Sequence, residues 1–121
     1  MDAAGYIYVV DSGNSQIRKA TQSGSAPLFM WKWGTHGSGN GEFDMPSGIA
    51  VASDGSIYVA DTNNHRIQRF TSGGVFVSKW GTNGTGDGQF QYPAGVAIAS
   101  DGSVYVVDTD NNRIQKFSVG P

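Results

Sequence analysis

Residues 41–70, GEFDMPSGIAVASDGSIYVADTNNHRIQRF, return at residues 88–117 as GQFQYPAGVAIASDGSVYVVDTDNNRIQKF. One offset relates Pro46 to Pro93, Asp54 to Asp101 and Trp33 to Trp80. At about 47 residues, it falls in the roughly 20–50-residue range of units that stack because none can bury its apolar face alone. A third, partial copy opens the chain. There Gly5, Tyr8 and Asp11 stand where Gly55, Tyr58 and Asp61 stand, and extra residues precede Trp33, among them Ser23-Gly24-Ser25-Ala26-Pro27.

Inside one copy the periodicity is two. Gly48-Ile49-Ala50-Val51-Ala52 reads as a strand, Ser53-Asp54-Gly55-Ser56 as a turn and Ile57-Tyr58-Val59-Ala60 as a second strand; branched and aromatic runs bounded by turn residues are the strand signal. Asp61-Thr62-Asn63-Asn64-His65 supplies another turn, of side chains that bond local backbone and tolerate left-handed conformation. Arg66-Ile67-Gln68-Arg69-Phe70 and Val75-Phe76-Val77-Ser78-Lys79-Trp80 complete a four-stranded antiparallel meander, a to d. The glycine-rich runs 34–41 and 81–88 then carry the chain from an outer strand d to an inner strand a. No helical pattern is present.

Composition sets limits. Eighteen glycines against four prolines fit a chain of many tight turns. With no cysteine, disulfides and thiolate zinc sites are excluded. No apolar run approaches the roughly 18 residues of a membrane-spanning helix, and the first ten residues show no signal-peptide pattern.

Meanders repeated radially make a β-propeller, which leaves only short, protected edges. PSGIAVASDGSIYVADTNNHRIQRF and PAGVAIASDGSVYVVDTDNNRIQKF also resemble NHL repeats, with Asn64-His65-Arg66 at the position of the Asn-His-Leu that names them. The resemblance implies an all-β propeller of about six blades. The expected layout is a partial blade b-c-d at 1–33, a complete blade at 48–80 and a partial blade a-b-c at 95–117. The first copy departs from the pattern, with Ala4 for Asp54, Gln16 for Arg66 and Ala20 for Phe70.

The chemistry-bearing residues have structural readings. His36 and His65 are the only histidines and occupy non-equivalent places, so they do not make a zinc centre, which needs three or four convergent ligands. Asp108-x-Asp110-x-Asn112 opens like a calcium loop, but Arg113 stands where such a loop requires glycine. Asp61 and Asp108 are expected to accept backbone amides of their own turn and to pair with Arg66 and Arg113. The glycine runs lack the Lys-Ser/Thr ending of a phosphate loop. Pro46, Pro93, Trp33 and Trp80 mark structural positions, and Trp31, which stands where Ser78 does, either packs or marks a local contact surface.

These readings converge on a non-catalytic scaffold for protein, peptide or glycan, without metal or cofactor. Its contact face is expected where b–c turns and d–a connections emerge together, at Asn64, His65, Arg66, Asn83, Asn111, Asn112 and Arg113. Two other classes follow from the resemblance: metal-dependent propeller lyases or lactonases, and RNA-binding NHL domains. The formal net charge of −2 argues against the second, since phosphate binding draws on clustered cations. Incomplete terminal blades imply either a homo-oligomer or a part of a longer propeller.

Overall fold

The computed structural model describes residues 5–23 and 26–118, with no side-chain placement for 22–30. Ala4 and the centre of the insertion, Gly24-Ser25, lie outside the described residues. Three sheets follow one another. The first contains β1 (Tyr6–Asp11), β2 (Gln16–Ser23) and β3 (Ala26–Trp33). A connection carrying the two-residue parallel pair β4 (Thr35–His36) and β5 (Glu42–Phe43) leads to the second sheet. This is a four-stranded meander of β6 (Pro46–Val51), β7 (Ile57–Asp61), β8 (Arg66–Phe70) and β9 (Phe76–Trp80). The third sheet contains β10 (Pro93–Ile98), β11 (Val104–Asp108) and β12 (Arg113–Phe117). Among the described residues a four-stranded sheet thus lies between two three-stranded ones, and every pairing within these sheets is antiparallel.

The turns repeat in detail. Ser56 N–H donates to Asp54 Oδ1 at 2.8 Å and Ser103 N–H to Asp101 Oδ1 at 2.9 Å. The following b–c turns are single 3₁₀ turns, each closed by a residue in the left-handed region: Ser15, His65 and Asn112, at φ 55, 54 and 53°. Each inner strand carries one extra residue, Ser47 or Ala94, between the pairs Pro46↔Asp61 and Gly48↔Ala60 or Pro93↔Asp108 and Gly95↔Val107. Such bulges bend a strand and re-aim its side chains.

Blades pack through alternate faces of their strands. Tyr8, Val10 and Ile17 of the first sheet meet Ile57 and Val59 of the second, with Phe43 and Phe70 filling the layer. Tyr58, Ala60 and Ile67 of the second sheet meet Val104 and Val106 of the third, with Phe90. Hydroxyls add a repeated latch between neighbours: Ser12 Oγ donates to the Pro46 carbonyl at 2.6 Å and Thr62 Oγ1 to that of Pro93 at 2.8 Å. The outer tryptophans also reach across blades. Trp33 covers Gly74, where an added Cβ would come within 3.0 Å of its ring, and Trp80 lies 5.4 Å from Phe117, centroid to centroid.

Trp31 resolves into packing. Its ring lies 4.5 Å from Lys19 Nζ, which also sits over Tyr6 at 4.2 Å and Tyr8 at 5.2 Å. Lys19 is buried and donates to the Ser72 carbonyl of the next blade at 2.8 Å. A cation facing aromatic rings is stabilised more as water is withdrawn. Related pairs recur as Arg69 over Tyr58 and Lys116 over Tyr105.

Candidate functional site

Each full b–c turn folds onto the connection that enters its own blade. Asp61 is fully buried. One of its oxygens accepts the Asp44 N–H at 2.8 Å; the other accepts Asn64 Nδ2 at 3.0 Å, Arg66 Nε at 2.8 Å and Gln68 Nε2 at 3.1 Å. The backbone amide therefore comes from the connection, where the sequence pointed to the turn itself. The entering connection lies against the b–c turn, where the Asn63 N–H also donates to the Asp44 carbonyl, so the Asp44 amide reaches the carboxylate.

Arg66 spends its remaining donors on the glycine-rich loop. Nη1 donates to the Ser38 carbonyl at 2.7 Å, and Nη2 to those of Gly39 and Glu42 at 2.8 and 2.9 Å. Asn64 Nδ2 holds the Gly37 carbonyl at 2.8 Å, and Gln68 bridges the Glu42 carbonyl and the Gly41 N–H. The loop thus turns carbonyls toward a cation, the inverse of a phosphate cradle, where amides face an anion. The next copy repeats the arrangement. Asp108 accepts from Gln91 N–H, Asn111, Arg113 and Gln115, while Arg113 donates to the carbonyls of Thr85, Gly86 and Gln89. In the first copy Arg18, two positions beyond Gln16, reaches Asp11 at 3.2 Å.

Of the seven face residues named from sequence, Asn64, Arg66, Asn111 and Arg113 hold these internal bonds. Asn83 and Asn112 are exposed. His65 is half-buried, its Nδ1 accepting the Tyr92 N–H at 3.1 Å and its ring edge-on to Tyr92 at 4.6 Å. Beside them the structure exposes residues that sequence reasoning left unassigned. Met45 and Tyr92 occupy equivalent positions before Pro46 and Pro93, both exposed and left-handed at φ 52 and 55°. His36 is exposed, with Nε2 3.7 Å from Asp44 Oδ1. A large side chain between a connection and a proline was the available signal for Met45 and Tyr92. Among the described residues no three His, Cys, Asp or Glu side chains converge as metal ligands, and no helix is long and apolar enough to cross a membrane.

Three aspartates titrate low. The Ser56 backbone N–H, with its hydroxyl, lowers Asp54, and Ser103 lowers Asp101 in the same way. Burial pushes Asp108 up, but bonds from Gln91 N–H, Asn111, Arg113 and Gln115 together hold it below the ordinary range. A depressed carboxylate makes the unfolded chain the better proton binder, so the stability it contributes is present above the ordinary aspartate value of about 3.9 and is lost as pH falls below it. Urea midpoints should therefore stay level from neutral pH down to about pH 5 and fall through the range below about pH 4. Asp108→Asn should lower the neutral-pH midpoint and flatten part of that fall.

The NHL repeat family model matches residues 43–70 and 90–117. The chain carries two NHL repeats. Over 49 residues it is 51% identical to the B-box type zinc finger protein ncl-1 of Caenorhabditis elegans, covering 40% of this chain and 6% of that protein. An auxiliary nutrient binding protein from Bacteroides thetaiotaomicron superposes with a TM-score of 0.74 at 18% identity, covering 94% of this chain and 35% of the other. A streptogramin B lyase superposes at 0.66 and 19%, covering 98% and 38%. These structural likenesses establish the β-propeller fold of the NHL-repeat chain. It spans only a small part of the length of the proteins it resembles.

Proposed function

We propose that the chain is a non-catalytic binding scaffold whose ligand surface is the rim of b–c turns and d–a connections, and whose partner is a protein, peptide or glycan. The single observation that carries this reading is the clamp. Arginines paired with fully buried aspartates lock long glycine-rich connections to the sheets, while Met45, Asn83 and Tyr92 on those connections and Asn63 and Asn112 on the b–c turns stand exposed. Rigid scaffolds that present adaptable loop residues are the usual way such folds bind. Fixed amides with isolated aromatic and thioether groups supply contact and hydrogen bonding; they supply no nucleophile–base pair. The six-bladed parent implied by the family resemblance belongs to the same proposal, with further units continuing the rim around the axis.

Panning a displayed peptide library on the immobilised chain tests the reading. Selected peptides should lose at least tenfold in affinity, about 1.4 kcal/mol, in the double variant Met45→Asn, Tyr92→Asn, whose new residues tolerate left-handed backbone. Urea midpoints should hardly move. Glycan-array binding lost in the same variant would support the scaffold with a glycan ligand. Single-stranded RNA bound more tightly than roughly 10⁻⁶ M at physiological salt, or hydrolytic activity with stoichiometric metal, would overturn it.

A further inference from the structure

Asn40 and Asp87 stand one repeat apart, each followed by glycine, in the two glycine-rich connections. Both residues are exposed. The turns that carry them are closed alike: the Glu42 N–H donates to the Gly39 carbonyl and the Gln89 N–H to that of Gly86, each at 3.1 Å. Gly41, at φ 79°, donates its N–H to Gln68 Oε1 at 2.9 Å, and Gly88, at φ 75°, donates to Gln115 Oε1 at 3.0 Å. One backbone turn therefore holds a carboxamide in one copy and a carboxylate in the other. A following glycine also leaves its peptide nitrogen unhindered by a Cβ, so that nitrogen has open access to the asparagine side-chain carbon.

We propose that Asn40 is a site of spontaneous covalent modification, converting to aspartate and isoaspartate through a cyclic imide. The Gly41 nitrogen leaves Gln68, gives its proton to hydroxide and bonds to Asn40 Cγ; the Cγ–Nδ2 bond breaks and ammonia departs. Water then opens the imide. Cleavage between the nitrogen and Cγ gives aspartate, whereas cleavage between the nitrogen and the Asn40 main-chain carbonyl carbon gives isoaspartate. Water is the sole co-reactant, and nothing is oxidised or reduced.

Asn83–Gly84 is the other such pair in the chain, and the fold restrains it more. The Gly84 N–H donates to the Phe90 carbonyl at 3.1 Å, and the Phe90 N–H donates to the Thr82 carbonyl at 2.9 Å. Main-chain bonds to a fully buried residue thus flank Asn83 on both sides. At Asn40, by contrast, the nitrogen has only to leave a side-chain oxygen at the tip of a turn. The two products differ in effect. Aspartate reproduces the Asp87 turn and adds a negative charge to the connection. Isoaspartate lengthens the main chain by one methylene between Gly39 and Glu42, whose carbonyls Arg66 Nη2 holds at 2.8 and 2.9 Å, and so loosens the clamp.

Incubating the 121-residue chain at mildly alkaline pH, followed by trypsin and mass spectrometry, reads this directly. Asn40 and Asn83 fall in different tryptic peptides, 33–66 and 80–113. Asn40 should react at least about fivefold faster than Asn83, the effect of one further backbone bond that must open. Protein isoaspartyl methyltransferase with S-adenosylmethionine should label the product in peptide 33–66. In urea, where both turns are lost, the two rates should converge. Asn40→Asp should leave the urea midpoint in place, whereas the isoaspartate fraction, separated chromatographically, should unfold at lower urea. Equal rates in the folded chain, or faster reaction at Asn83, would overturn the proposal. So would an Asn40 that stays intact in the folded chain while reacting in urea.

Discussion

Arg66→Ala is expected to destabilise the chain by about 3–5 kcal/mol, the cost of stranding a buried charge. Its side chain is 7% exposed and the Asp61 carboxylate 0%, so water cannot replace the lost guanidinium. Three carbonyls of the entering connection lose their donors at the same time. Arg113→Ala removes the equivalent group from Asp108, but Arg113 is 29% exposed. Solvent can partly take over there, and the loss should be about 1–2 kcal/mol. Arg66→Lys should recover little, because an ammonium cannot reproduce the planar fork that spans carboxylate and carbonyls. Urea denaturation followed by tryptophan fluorescence measures all three. A loss under about 1 kcal/mol for Arg66→Ala would mean that the clamp does not hold the loop.

The strand order was legible because the repeat offset and the period of two report on the same object, a meander whose faces alternate. Asp61–Arg66 was legible for a local reason, since five residues across a tight hairpin place the two side chains opposite each other. The amide of Asp44 was not, because it approaches from 17 residues earlier along a connection whose path is set only when the blades pack. Arg18 was missed for a related reason. Aligning the copies position by position puts Gln16 opposite Arg66, whereas the structure reaches Asp11 from the next residue on the same face of the strand. Met45 and Tyr92 carry left-handed backbone without glycine, and nothing local in residue type announces that conformation. Asn64 and Asn111 look like surface polar groups in the sequence; only the folded connection gives them, and the remaining donors of Arg66 and Arg113, their carbonyl partners.

Gly48→Ala should cost about 3 kcal/mol, the upper end for forcing atoms into a packed site. A Cβ there would overlap the Ala94 carbonyl oxygen and lie 3.1 Å from the Gly95 Cα. Both obstacles are backbone of the neighbouring inner strand, so no rotamer change relieves them. Gly95, at the equivalent position of the next copy, is the control. Its added Cβ meets only the Val107 side chain, at 3.2 Å from Cγ2, and Val107 lies on the open face where it can turn. Gly95→Ala should therefore change stability by no more than about 0.5 kcal/mol. The two substitutions are chemically identical and occupy the same place in the repeat, so backbone entropy and strand propensity cancel in their difference. What remains is the presence of β10 beside β6. Equal losses at both positions, read from urea midpoints, would mean that the inner strands are not in contact and that the blades are spaced more widely about the axis than this packing requires.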